Sequence, residues 1–160
     1  MYAIVDIETT GFSHEKHKII EVAIIVYNGQ IVNKYETLIN PGCDIPEKIT
    51  ALTGITNDML TNAPSFEVVA NEILKTIGKC IVVGHNVRFD YMFLKAEFKN
   101  IGIKFENIML DTLAMSRDKL PKTNHSLENI AKIMKIDTNG AHRAMKDAMI
   151  TLELFKKIKS

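Results

Sequence analysis

The sequence predicts an α/β fold: a mixed sheet, made of an antiparallel meander plus parallel strands, flanked by helices. Three observations predict it. The first forty residues hold apolar runs of strand length separated by turn residues. From Ser65 onward apolar residues recur at helical spacing. Between those helical stretches short continuous apolar runs return, the alternation that builds parallel strand pairs.

In chain order, "YAIVDI", "KIIEVAIIVY" and "IVNKYETLI" read as the strands of the meander. Asn28-Gly29 between the last two is a two-residue hairpin signal, because both central positions of that turn need positive φ. Phe66, Val69, Ala70, Ile73, Leu74 and Ile77 form the stripe of an amphipathic helix, with Ser65 as N-cap and Gly78 at its C-terminal end. "CIVVGH" reads as a strand buried on both faces. Phe89, Met92, Phe93 and Ala96 mark the next helix, capped by Asn86 and closed by Gly102. "NIMLDT" is a last short strand. Helices then begin at Ser126 and near Arg143, the second on a stripe of Met145, Ala148, Met149, Leu152 and Phe155.

At 160 residues the chain is expected to be one domain, residues 1–160. Its 46% hydrophobic and 24% charged residues are those of a globular protein, not a disordered one. No apolar stretch approaches the ~20 residues that span a bilayer, and the N-terminus enters a strand without a signal-peptide pattern. No membrane partner and a cytoplasmic location are therefore expected. Cys43 and Cys80 have no close Cys or His spacing, which argues against a zinc site. A net charge of +1 is not that of a protein coating long duplex DNA, yet it allows a partner that presents a few phosphates to a metal site.

The chemistry begins in "AIVDIETTGF". Side chains alternate along a strand, so Ile4, Asp6 and Glu8 share one face. Like charges there are costly unless something pairs them. Alone, such an Asp-x-Glu is most often a solvated strand end. Two further acids change that weighing. Asp90 in "GHNVRFD" lies near the start of the helix that follows a buried strand. Asp147 lies in the terminal helix, where its small neighbours Ala144, Ala148 and Thr151 are expected to leave room for something bulky. Strand ends and helix starts converge at one edge of such a sheet. Four converging carboxylates stay ionised only with cations, and hard oxygen ligands suit Mg²⁺ or Mn²⁺. Two such ions form the clamp used for in-line attack on phosphodiesters.

The flanking residues carry a resemblance. "DIETTG" at Asp6 to Gly11, "HNVRFD" at His85 to Asp90 and "HRAMKDA" at His142 to Ala148 are similar to the three motifs of the DEDDh 3′–5′ exonucleases. That family includes the epsilon-type proofreading subunits and PolC-type proofreading domains of bacterial replicative polymerases. "LTGIT" at Leu52 to Thr56 and "LDT" at Leu110 to Thr112 extend the resemblance over essentially the whole chain. It implies a ribonuclease-H-like fold and two-metal hydrolysis at a single-stranded or frayed 3′ end. It implies Asp6, Glu8, Asp90 and Asp147 as ligands of two Mg²⁺ or Mn²⁺ ions, with Asp6 bridging them. His142 is implied as the general base, since position 143, where a sister group has Tyr, is Arg here.

Thr9, Gly11, Leu52, Ile55, Asn86 and Phe89 look like the shell that grips the last nucleotides. Backbone groups around Thr9 would meet the 3′ hydroxyl, and Leu52 and Ile55 would wedge against terminal bases. Core packing is the alternative for Leu52, Ile55 and Phe89. His14 and His17 read as a solvated loop pair, and His85 and His125 as supports of local structure. DNA is the expected substrate, in proofreading or repair, because "LTGIT" looks closest to proofreading domains; a DNA polymerase catalytic subunit is then a candidate partner. RNA trimming, or a polymerase-docked subunit with little turnover of its own, are the alternatives.

Overall fold

The computed structural model describes residues 1–120 and 122–159. β1 (Tyr2–Thr9), β2 (Ile19–Tyr27) and β3 (Ile31–Leu38) form the antiparallel meander. The short helices α1 (Glu47–Thr53) and α2 (Asn57–Thr61) precede α3 (Phe66–Ile77) and β4 (Ile81–Gly84). Then come α4 (Val87–Asn100), β5 (Met109–Asp111), α5 (Thr112–Lys119), α6 (Leu127–Ile133) and α7 (Ala144–Lys159). Among the described residues the sheet has five strands in the order β3-β2-β1-β4-β5. β4 runs parallel to β1, and β5 parallel to β4.

The alternation along β1 divides the core. Ala3, Val5 and Ile7 face a layer built from α3 and α4, through Phe66, Ile73, Leu94 and Phe98. Ile4 faces the other way, packing with Ala23, Ile25 and Val83 against Ala144, Ala148, Leu152 and Phe155 of α7. Asp6 and Glu8 continue the Ile4 face, so the pleat aims both carboxylates toward the start of α7. Ala144 and Ala148 are fully buried in that contact. They let α7 lie close on β1 and β2.

The hairpin differs too. Gly29 takes φ of +78° while Asn28 stays outside the positive-φ region, and the pairing shifts register between Val26 and Tyr27. The connection is thus a three-residue loop, Asn28 to Gln30, with a bulge: one positive-φ residue suffices there, where a two-residue turn needs two. Ser65 and Asn86 stand at the N-cap positions of α3 and α4, but neither side chain accepts a capping hydrogen bond. Asn86 instead takes the left-handed conformation, φ of +65°. Helices α1, α2 and α5 carry too few apolar residues for a readable stripe. Local devices hold them: Gly54 ends α1 at φ of +75°, Thr56 accepts from the Met59 amide, and Asp111 accepts from the Leu113 amide at 2.9 Å.

Because α7 rests on the sheet through alanines, Ala148→Leu should overpack the contact and cost about 1–3 kcal/mol. Thermal melting should fall by roughly 2–4 °C for each kcal/mol in a chain of this size. The same substitution at the exposed Ala114 should leave the melt within a degree or so. Equal melts for the two variants would refute the close α7–sheet contact.

Candidate metal centre

Asp6 and Glu8 leave the C-terminal half of β1 on the face that meets α7. Asp147 sits in the first turn of α7, where the His142 amide donates to both carboxylate oxygens at 3.2 and 3.3 Å. Among the described residues, Asp6, Glu8 and Asp147 each present an oxygen within 4.8 Å of the others. Asp90, in the first turn of α4, is 6% exposed and accepts the Ile7 amide at 3.0 Å, which ties α4 to β1 between Asp6 and Glu8. It lies close enough to Asp6 that its charge is the strongest single charge acting on that residue, yet it stands outside the tight trio.

The proximity is visible in the proton affinities. Burial first, then the charges of Asp90, Asp147 and Glu8, hold Asp6 well above the usual carboxylate range. Burial and the nearby Asp147 push Glu8 up to about 8. Burial raises Asp90 to about 8 as well, against the lowering effect of its own and the Ile7 backbone amides. Asp147 is raised by burial and partly relieved by the His142 amide. Such a cluster needs protons or cations to persist. An all-carboxylate donor set is the hard-oxygen chemistry of a divalent cation such as those taken by nucleases, so the residues present fit the metal that the sequence implies.

The remaining expected residues are spread more widely. His142 is exposed at φ of +69°, immediately before α7, with its amide on Asp147. Thr9 is buried and its hydroxyl donates to the Gly11 carbonyl at 2.6 Å. A Cβ on Gly11 would meet the His17 ring at 2.4 Å, so that glycine is required by packing. His17 is accordingly half-buried over Gly11, with Nδ1 3.1 Å from the Ser13 amide, and is not a solvated loop residue. Asn86 and Phe89 line a cavity of about 270 Å³ with Phe12, Arg88 and Met92. Leu52 is 52% exposed and accessible to a base. Ile55 is a correction: it is fully buried with Ile20, Ile45, Ile49 and Leu60, so its side chain supports the α1–α2 segment and reaches no base.

Two acids to which sequence reasoning gave no role also belong here, with the histidine it read as a local support. Glu21, buried in β2 directly opposite Glu8, receives the guanidinium of Arg143. Its signal was a lone acid inside the apolar run "IIEVAIIVY". Asp111 accepts the Asn86 amide at 2.9 Å and so holds the left-handed turn before α4. His85 does what the sequence suggested: Nε2 donates to the His125 carbonyl at 2.7 Å, and Nδ1 lies 3.0 Å from Thr112 Oγ1.

A raised folded-state carboxylate pKa gives a defined pH dependence. Without metal, the folded protein binds these protons more tightly than the unfolded chain. The stability they contribute is present at acid pH and is lost as pH rises from about 4, the unfolded value, to about 8. Asp90→Asn keeps an acceptor for the Ile7 amide and removes one charge. In EDTA it should melt several degrees above wild type at pH 8, with the gap closing near pH 5; a gap independent of pH would refute the shift.

Comparisons with known proteins agree with this arrangement. The RNase_T exonuclease family model matches residues 3–155. The chain is 44% identical over 160 residues to the DNA polymerase III subunit epsilon of Aquifex aeolicus, which covers 98% of this chain and 79% of that protein. It is 36% identical over 156 residues to the PolC-type DNA polymerase III of Thermotoga petrophila, covering 96% of this chain but only 11% of that much longer protein. A solved structure of exonuclease X in complex with 5′ overhanging duplex DNA shares 27% identity at a TM-score of 0.82, over 99% of this chain and 90% of that one. The mixed sheet is thus the ribonuclease-H-like sheet of such nucleases. With a family match from β1 into α7 and the polymerase III epsilon subunit similar over 98% of this chain, the chain belongs to the exonuclease family.

Proposed function

We propose that residues 1–160 form one 3′–5′ exonuclease domain that removes nucleoside 5′-monophosphates from single-stranded or frayed DNA ends. The observation that carries this reading is the approach of Asp6, Glu8 and Asp147 to within 4.8 Å, with His142 tethered to Asp147. We take Asp6, Glu8, Asp90 and Asp147 to be the residues that would hold two Mg²⁺ or Mn²⁺ ions. When bound, such ions lower the pKa of a coordinated water and neutralise charge on the attacked phosphodiester and its leaving oxygen.

The protein's own contribution is positioning and proton transfer. His142 is exposed at the rim, where its imidazole can take the proton of the attacking water, and its backbone amide holds Asp147 in place. Backbone groups at Thr9 are taken to meet the 3′ hydroxyl, in a turn braced by the Thr9 hydroxyl and by His17 packed over Gly11. Leu52 is assigned as the wedge at the terminal base, and Phe89 and Asn86 as one wall of the strand's path. Apolar and backbone contacts of this kind read no sequence. Unpaired ends avoid the cost of melting a base pair, so they are the preferred substrate.

The relatives named for DNA polymerase III support DNA over RNA, and a polymerase catalytic subunit as partner in proofreading. An enzyme so employed works in the cytoplasm of a bacterium. No helix among the described residues is long and apolar enough to cross a membrane.

Labelled DNA and RNA oligonucleotides of matched sequence, blunt or single-stranded, incubated with Mn²⁺, test the reading on a gel. Stepwise shortening of single-stranded DNA from the 3′ end is expected; equal rates on blunt duplexes, or degradation of RNA alone, would overturn it. His142→Ala should lower kcat by about 10²–10⁴-fold and leave oligonucleotide affinity in Ca²⁺ nearly unchanged. Asp6→Asn should abolish turnover and reduce the Mn²⁺ stoichiometry measured by calorimetry, with the fold retained.

A further inference from the structure

Glu21 adds a fifth carboxylate to the face that carries Asp6 and Glu8. It pairs directly with Glu8 in the β1–β2 register and is 4% exposed. Among the five acids it is the one that pairs with an arginine of this chain, and both its oxygens are engaged. Arg143 Nη2 donates to Oε1 at 2.7 Å and Nε donates to the same oxygen at 3.1 Å, while the Ala144 amide donates to Oε2 at 2.9 Å. A guanidinium fork on a carboxylate fixes direction as well as distance.

The two residues so gripped directly follow His142, whose backbone takes φ of +69°. The His142 amide binds the Asp147 carboxylate at 3.2 Å, and the Arg143 carbonyl accepts the Asp147 amide at 3.0 Å. A continuous chain of contacts therefore runs from β2, through residues 142–144, to the side chains at the edge of the metal centre. We propose that Glu21 and Arg143 are positioning residues, whose ion pair sets where His142 sits against the acid cluster. The proposal rests on His142 acting as the general base.

Energetics favour this role over simple stabilisation. A buried charge pair of this kind is weak evidence for stability, because desolvation offsets much of the attraction, and an apolar pair of similar volume often does as well. Here a carboxylate is kept beside three others that it repels, as its contribution to Asp6, Glu8 and Asp147 records. What the pair adds is a fixed bearing for the start of α7. Engagement by Arg143 and Ala144 also withholds Glu21 from the metal, so the ligand set stays at the four proposed acids.

The test is a double-mutant cycle between Arg143 and His142, read on single-stranded DNA in Mn²⁺. Arg143→Gln should lower kcat about 10–100-fold, the cost of a base misplaced by about an ångström, with KM and oligonucleotide affinity in Ca²⁺ within twofold of wild type. In a His142→Ala background the same substitution should cost little more, because no base remains to be misplaced. Arg143→Lys, which keeps the charge and loses the fork, should stay impaired, and Glu21→Gln should reproduce the kcat loss. Full rescue by Lys, or a loss of the same factor with and without His142, overturns positioning. A wild-type protein that shortens no oligonucleotide overturns the reading of the site itself. In that event hydrogen exchange still decides the contact: the 139–147 segment should exchange at least tenfold faster in Arg143→Gln while β4 and α3 stay protected, and unchanged protection refutes the proposal.

Discussion

Mutual repulsion among carboxylates at the C-terminal end of β1 is the constraint on which the rest of this structure depends. Asp6, Glu8 and Asp147 meet within 4.8 Å, with Asp90 next to Asp6 and Glu21 across from Glu8. In water such groups would separate. Here they cannot, because each is fixed by an element that is buried for other reasons. β1 lies mid-sheet, paired on one side to β2 and on the other to β4. Its Ile4, Val5 and Ile7 are anchored in both core layers. The hydrophobic effect on the two faces thus supplies the force that holds like charges together.

Each acid is held in its own way, and the differences suit a metal centre. Asp6 and Glu8 stand on a rigid central strand, where spacing is set by the pleat. Asp90 is held by the Ile7 amide, so α4 is registered to β1 by one hydrogen bond between the two strand acids. Asp147 depends on the least regular segment, the turn at residues 142–144, and that turn is gripped by Glu21 through Arg143 and Ala144. Precision at the rim is therefore borrowed from β2, the most completely buried strand of the sheet. The helix α7 gains its close approach from Ala144 and Ala148, which carry no bulk to hold it off.

The second motif shows the same economy of support. His85 bridges the end of β4 to the segment before α6 through the His125 carbonyl, and to α5 through Thr112. Asp111 meanwhile caps α5 and holds the Asn86 amide with the same oxygen. The turn that presents Asp90 is thus braced from β5 and α5, elements remote in sequence. Burial lowers the His85 pKa, in keeping with an imidazole used to join elements.

The sequence by itself determined the order of strands and long helices, the two-sided burial of "IVVG", and the common face of Asp6 and Glu8, because each follows from a local period of two or 3.6 residues. It also carried the family, since the motif residues stand in fixed order along the chain. It did not reveal α1, α2 or α5, which rest on caps and positive-φ turns and lack an apolar stripe. Nor could periodicity separate Leu52 from Ile55: both are apolar in one motif, and only the packing against Ile20 and Ile49 buries the second and leaves the first exposed. The tertiary structure alone decided what Ala144 and Ala148 are for, and which acid is paired with an arginine. Glu21 is a lone acid in an apolar strand, and only the fold brings Arg143, 122 residues away, onto it. Contacts across that separation leave no periodic trace, because they depend on how layers pack and not on how neighbours alternate.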